Sequence, residues 1–195
     1  MGPIDEDAAL IASALNGSAF AWEQLVKRYE DRIYNLGLRL TGSRSDAMDL
    51  LQEVFLGVYR NLHRFRGDAK FSSWIFRIAH NKAVDLNRRR RLLLPAGFKG
   101  EEEAGGDYEG FAGATTDEPD VRVSEDQQNR QIVAMLMQLP LEQRLVVELK
   151  IYQSMTFEEI AEMQEISANT AKTRFYAALK KLRTATEEND VLSAN

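Results

Sequence analysis

Apolar side chains recur at steps of three and four residues along most of this chain, and that spacing constrains the fold more than any other feature. It gathers apolar groups on one face of an α-helix, whereas a half-buried strand needs strict alternation. The clearest such face comprises Trp22, Leu25, Val26, Tyr29, Ile33, Leu36 and Leu40. No convincing strand or internal repeat is present, so the sequence predicts an all-α protein.

The stretch 94–119 interrupts this periodicity. It is rich in glycine and holds Pro95 and Pro119, and residues 92–127 carry 10 acidic and 2 basic side chains. Such a composition buries too little apolar surface to offset the entropy lost on ordering. We therefore expect two small helical domains, 1–93 and 120–186, joined by a flexible acidic linker and followed by a tail at 187–195.

Several classes of protein are excluded by residue type. Cysteine is absent, and the two histidines, His63 and His80, stand too far apart for a helical metal-binding pair. No apolar run approaches the roughly 18 residues that a membrane span needs. The N-terminus is acidic where a signal peptide is basic. We expect a cytoplasmic protein with no metal or other cofactor.

The net charge of −5 conceals strong local differences. Residues 1–91 carry 15 basic and 11 acidic side chains, and residues 167–183 carry 5 basic and none acidic. Binding to nucleic acid depends on the local field rather than on the net charge. The acidic balance of the whole chain is therefore compatible with a DNA-binding protein.

The segment Thr156–Arg183 carries the strongest local signal. Thr156 and Glu159 form a capping-box pattern, a three-residue connection follows, and Ser167 can cap a longer basic helix. This order is typical of a helix-turn-helix, whose second helix enters the major groove of DNA. A plain helical hairpin with a solvated basic face remains the alternative.

Two further features suit nucleic acid. Basic residues crowd the end of a helix between Lys82 and Arg91, where they can contact phosphates or be merely solvated. Aromatic and basic residues alternate over 65–74, which suits stacking of unpaired bases. The alternative for Phe65, Phe71 and Trp74 is that at least two of them are core anchors.

Three carboxylates, Asp46, Asp49 and Glu53, share one helix face at steps of three and four. Carboxylates in this arrangement can hold a divalent cation, as in all-helical nucleotide hydrolases. No clear second set of carboxylates is available to complete such a site. A docking surface or a solvated face are the other two interpretations.

Taken together, these segments resemble the extracytoplasmic-function sigma factors, which are minimal bacterial transcription initiation factors. Residues 46–55 are similar to that family's D-A-x-D-x-x-Q-E-x-F segment, which docks on the clamp of RNA polymerase. Residues 65–81 resemble its block for promoter melting and −10 recognition. Leu139-Pro140 with Gln143-Arg144 resembles the entry to the fourth sigma domain, and 159–174 resembles the −35 reader.

The resemblance implies a role for each group of residues. Core polymerase would be bound by Asp46, Asp49, Leu50, Gln52, Glu53 and Phe55. The −10 element would be bound by Arg66, Asp68, Lys70, Phe71, Ser73, Trp74, Arg77, Asn81, Arg88 and Arg89. The −35 element would be bound by Ser167, Asn169, Thr170, Lys172, Thr173, Arg174, Tyr176, Lys180 and Lys181.

The resemblance also implies partners and a mode of action. The protein would bind core RNA polymerase and promoter DNA, select promoters in a stress response, and leave after initiation. Family members are usually held inactive by an anti-sigma factor, often one anchored in the inner membrane. Neither catalysis nor a small-molecule substrate is implied. The acidic linker would lie along polymerase channels that are shaped for nucleic acid.

The helix-turn-helix departs from the family pattern at its turn. Gln164 and Glu165 stand where Leu-Gly is usual, and that glycine commonly supplies a positive φ. A residue other than glycine adopts this conformation only at some cost, so we expect the turn to be reshaped, with Met163 filling the core instead. Ala177 and Leu179 occupy positions where the family often has arginine, which predicts a weaker grip on the −35 element.

Two rival functions remain open on the sequence alone. A stand-alone DNA-binding regulator would use the same helix-turn-helix but would leave residues 46–55 and 65–74 without a role. A carboxylate–metal nucleotide hydrolase would use Asp46, Asp49 and Glu53.

Overall fold

The computed structural model of the chain describes residues 7–93 and 129–193. Within these ranges the secondary structure is helical and contains no strand, which confirms the all-α prediction. The chain divides into two compact units, although the short segment Leu38–Ser43 groups with the second one. The predicted linker at 94–119 lies outside the described residues.

The described part of the first unit contains four helices. They are α1 (Ala8–Leu15), α2 (Ala19–Thr41), α3 (Arg44–Asn61) and α4 (Phe71–Leu93), with a 3₁₀ turn at Leu62–Arg64 between the last two. Ser45 is a residue type that often caps a helix, but α3 already begins at Arg44 and Ser45 lies inside it. Asp46 does lie in the first turn of α3, where a negative charge complements the helix dipole.

The core of the first unit follows the predicted apolar faces. On α2 the side chains of Leu25, Tyr29, Ile33 and Leu36 are buried. The other helices contribute Ala47, Leu50, Val54 and Val58 from α3, and Phe71, Ile75, Phe76, Ala79 and Ala83 from α4. Burial of these faces provides the main stabilisation, since an isolated helix of this length is marginal in water.

Among its described residues, the second unit contains four helices and an irregular turn. Residues 129–137 are helical and form α5. They are followed by α6 (Leu141–Val147), a π turn (Glu148–Tyr152), α7 (Phe157–Gln164) and α8 (Ala168–Ser193). Pro140 immediately precedes α6, where its missing N–H costs nothing. Helix α8 continues past residue 186, at which the sequence predicted the domain to end.

The described helices include none that is long and apolar enough to cross a membrane.

Candidate functional site

Two of the three carboxylates on α3 form ion pairs with basic residues of α4. Asp46 Oδ2 accepts a hydrogen bond from Arg90 Nη1 at 2.8 Å, and Glu53 Oε2 accepts one from Lys82 Nζ at 2.8 Å. The hydrogen bond and the charge of Lys82 hold the pKa of Glu53 below its usual value. Asp49 is exposed and makes no side-chain ion pair within the described residues. In this part of the chain no group of three or more metal-ligating side chains could hold a metal ion.

Burial separates the predicted polymerase-binding residues into two sets. Leu50 is fully buried, so its prediction as a direct contact is corrected to a core residue of α3. Phe55 is half-buried and meets Trp22 edge-on, with ring centroids 6.3 Å apart. We call the polar remainder the docking face, which consists of Asp46, Asp49, Gln52 and Glu53.

Three aromatic rings form a cluster where the loop after the 3₁₀ turn meets the start of α4. Phe65, Phe71 and Trp74 lie 5.4 to 5.6 Å apart between centroids, and we call them the aromatic cluster. Phe71 is 1% exposed, so its predicted direct contact with DNA is corrected to a core anchor. Phe65 and Trp74 are half-buried and keep part of each ring at the surface.

A polar face continues from this cluster along α4. The loop residues Arg66, Asp68 and Lys70 are exposed, and Gly67 turns the loop with φ +76°. On α4 the predicted residues are Ser73, half-buried, and Arg77, Asn81, Arg88 and Arg89, exposed. Ser73, Arg77 and Asn81 follow one another at steps of four residues, and Arg88 follows Asn81 by seven. These four residues therefore lie on one side of the helix. Burial lowers the pKa of the neighbouring His80, and its hydrogen bond with Asn81 only partly offsets this effect.

In the helix-turn-helix of the second unit the predicted capping box forms, and the turn is not reshaped as the sequence predicted. Thr156 and Glu159 form a reciprocal capping box at the start of α7. At its end Glu165 is left-handed, with φ 55° and ψ 42°, and Met163 is buried. Ile166 N donates to Ala161 O at 3.0 Å, which completes the helix-ending motif. The position that usually holds glycine therefore keeps its backbone conformation with a glutamate in it.

Replacing Glu165 with glycine is expected to stabilise the second unit. A left-handed conformation costs a residue with a Cβ about 1 kcal/mol, and glycine avoids this cost. Thermal unfolding of Glu165→Gly should show a higher melting temperature. The control is Glu162→Gly, which makes the same change inside α7 and should lower stability by about 1 kcal/mol. A destabilised Glu165→Gly would contradict the strain that we assign to this turn.

Helix α8 presents an exposed polar stripe. Its members recur at steps of three and four residues, and we call them the reading face: Asn169, Lys172, Thr173, Tyr176 and Lys180. Lys181 is exposed beside it. Lys172 Nζ also lies 5.8 Å from the ring centroid of Phe157, which restricts its position. Phe157 could not be identified from the sequence, because Lys172, which it contacts, lies on the other helix.

Ser167, Thr170 and Arg174, all predicted −35 residues, have partners within the second unit. Ser167 Oγ accepts a hydrogen bond from Thr170 N at 3.0 Å, and the two hydroxyls lie 2.8 Å apart, so both serve the cap of α8. Arg174 forms an ion pair with Glu142 of α6 at 3.0 Å. It also approaches Gln164 of α7 at 3.4 Å. Arg174 therefore ties α8 to both neighbouring helices.

Sequence comparisons match both units. The family description Sigma-70 region 2 covers residues 25–92, and Sigma-70, region 4 covers residues 129–182. The ECF RNA polymerase sigma factor SigW of Bacillus subtilis is 31% identical over 89% of this chain and 92% of its own length. The RNA polymerase sigma-H factor of Pseudomonas aeruginosa is 27% identical over 89% of this chain and 90% of its own.

Solved structures share the fold. CnrH, in complex with the cytosolic domain of CnrY, has a TM-score of 0.67 and 23% identity, covering 94% of this chain and 99% of that one. The sigma factor RpoE, in complex with the anti-sigma factor NepR from Bartonella quintana, has a TM-score of 0.64 and 18% identity. That match covers 85% of this chain and 96% of RpoE.

Proposed function

The chain belongs to the extracytoplasmic-function sigma factors of RNA polymerase, and we propose that it binds core polymerase through α3 and promoter DNA through α4 and α8. It directs transcription initiation from specific promoters. One observation carries the assignment of sites. Both sigma regions match in the expected order, and each falls on a unit whose predicted contact face is exposed.

The two units suit different parts of a promoter. The reading face of α8 offers amide, hydroxyl and ammonium groups, which can bond base edges and phosphates of the duplex −35 element. The half-exposed rings of Phe65 and Trp74, beside the basic loop, suit unstacked bases of an opened −10 element. The exposed Arg88 and Arg89 suit phosphates between the two elements.

An anti-sigma factor is the partner that controls the protein in our proposal. RpoE was solved with the anti-sigma factor NepR, and CnrH with the cytosolic domain of CnrY. The protein works where polymerase and promoter are, in the cytoplasm, or is held at the inner membrane when its inhibitor is anchored there. It acts by binding, with no catalytic step, cofactor or small-molecule substrate of its own.

Reconstituted transcription tests this proposal. Purified core polymerase and a pool of bacterial promoter fragments should give specific transcripts only when this protein is added. The enriched fragments should share one −35 and one −10 element at a fixed spacing. A protein that binds duplex DNA but neither captures polymerase nor supports transcription would instead be a stand-alone DNA-binding regulator.

Lys172→Ala is expected to weaken binding to the selected −35 duplex. The loss should be about 1–3 kcal/mol if the ammonium reads a base edge, and it should reduce the salt dependence if it contacts a phosphate. Fluorescence anisotropy at several salt concentrations measures both quantities. Lys27→Ala removes an exposed lysine of the first unit and is the matched control. If the two variants bind the −35 duplex with equal affinity, Lys172 does not contact this DNA.

A further inference from the structure

A buried carboxylate stands at the start of the described chain. Asp7, only 3% exposed, directly precedes α1 and accepts a backbone hydrogen bond from Ile11 at 2.8 Å. Its two carboxylate oxygens accept hydrogen bonds from the Arg28 guanidinium and from the Tyr29 hydroxyl, both on α2. A buried carboxylate is costly unless it is paired and hydrogen-bonded, so these two donors define where Asp7 can lie.

Tyr29 extends this contact to the aromatic cluster. Its side chain is 3% exposed, with the hydroxyl held by Asp7 at one end. The ring meets Phe71 edge-on, with centroids 5.5 Å apart and planes at 75°. Phe71 in turn contacts both Phe65 and Trp74. An unbroken series of contacts therefore leads from the Asp7 carboxylate to the half-exposed rings.

Helix α1 supports the same region from a second side. It packs against the 3₁₀ turn Leu62–Arg64, with Ile11 and Leu62 both buried. Phe65 follows this turn directly, and its N–H donates to Leu62 O at 3.0 Å. Both Phe65 and Phe71 thus depend on the N-terminal segment that Asp7 begins.

We propose that Asp7, acting through Tyr29, is a positioning residue for promoter opening. Its bond to the Tyr29 hydroxyl fixes the ring on which Phe71 rests, and so keeps Phe65 and Trp74 ready to receive unstacked bases. A site held by packing and hydrogen bonds loses less entropy when its ligand binds. The proposal rests on the proposed function, because it assigns Asp7 to the −10 step of that function.

The first test uses the free protein. The chain holds two tryptophans, and Trp22→Phe leaves Trp74 as the only one. In this background, Tyr29→Phe and Asp7→Asn should each shift the emission of Trp74 to longer wavelength and make it easier to quench with acrylamide. Unchanged emission and quenching in both variants would overturn the proposal, whether or not the protein works on promoters.

The second test uses the complete holoenzyme on the promoter selected above. Tyr29→Phe keeps the ring and removes only the hydroxyl, and Asp7→Asn keeps the shape and removes the charge. Each variant should open the promoter roughly tenfold more slowly, which is the effect of losing one hydrogen bond to a charged group. Permanganate reactivity of the melted DNA measures the rate of opening. Polymerase capture should stay within about twofold. In the double variant the two effects should add to less than their sum, since both changes act on the same contact between Asp7 and Tyr29.

A general loss of stability must be separated from positioning. Leu36→Val truncates another buried side chain of α2 and leaves the Asp7–Tyr29 bond intact. If it slows opening as much as Tyr29→Phe, or if Tyr29→Phe opens the promoter as fast as wild type, the proposal is wrong. If the wild-type protein itself opens no promoter, the proposed function fails. The emission of Trp74 in the free protein still tests whether Asp7 and Tyr29 position the aromatic cluster.

Discussion

Asp49→Arg is expected to weaken capture of core RNA polymerase by about 2 kcal/mol, roughly thirtyfold, because placing like charges together across an interface costs several kcal/mol. We propose that the docking face meets a basic surface of the polymerase clamp. Asp49 is exposed and lies at the middle of that face. Pull-down at several salt concentrations measures the loss, which should shrink as salt screens the charges.

Asp49 is the best position for this charge reversal because Asp46 and Glu53 form ion pairs with α4. Reversing Asp46 or Glu53 would also break the ion pairs with Arg90 and Lys82 and could disturb the α3–α4 packing. Asp31→Arg makes the same change at an exposed carboxylate of α2 outside the docking face and is the matched control. Capture of polymerase by Asp49→Arg at wild-type affinity would remove α3 from the docking surface.

Gly37→Ala is expected to lower the free energy of unfolding of the first unit by about 1–3 kcal/mol, the usual cost of overpacking. Helices α2 and α3 approach closely at this glycine. A Cβ there would lie 2.8 Å from Ala47 Cα, 3.0 Å from Ala47 Cβ and 3.3 Å from Ala47 O. Since two of these atoms are backbone, the helices themselves would have to separate. Urea unfolding measures the change.

A second glycine-to-alanine change provides the control. At Gly57 of α3 a Cβ would meet only the Ile78 methyl at 3.2 Å and the end of Lys82 at 4.0 Å. Both atoms belong to side chains that can move, and alanine favours the helix by about 1 kcal/mol. Gly57→Ala should therefore leave stability unchanged or raise it. Similar behaviour of the two variants would show that the close approach at Gly37 costs nothing.

Local sequence predicted the local structure well. Most of the apolar face predicted for α2 is buried, and the capping box at Thr156 forms as expected. Each depends on residues within one or two turns of each other, so their spacing along the chain carries the information. The start of α3 is less clear from local sequence, because Ser45 has the residue type of a cap but lies inside the helix.

The candidate sites were predicted as segments, but not in their side-chain detail. Residues 46–55, 65–81 and 167–181 could be identified from residue type and family resemblance. Whether one member faces solvent depends on the neighbouring helices, and this is why Leu50 and Phe71 proved to be buried. Arg174, a predicted −35 residue, also forms an ion pair with Glu142 of another helix, a contact that local sequence does not reveal.

By itself, the amino-acid sequence determined that this protein is helical, that its apolar faces build two units, and that it belongs among the sigma factors. These properties follow from periodicity and from motifs of ten or so residues. The tertiary structure alone decided that Lys82 meets Glu53 and that the Asp7 carboxylate reaches Tyr29. Such pairs join residues more than 20 positions apart, and only the crossing of packed helices brings them within hydrogen-bonding distance.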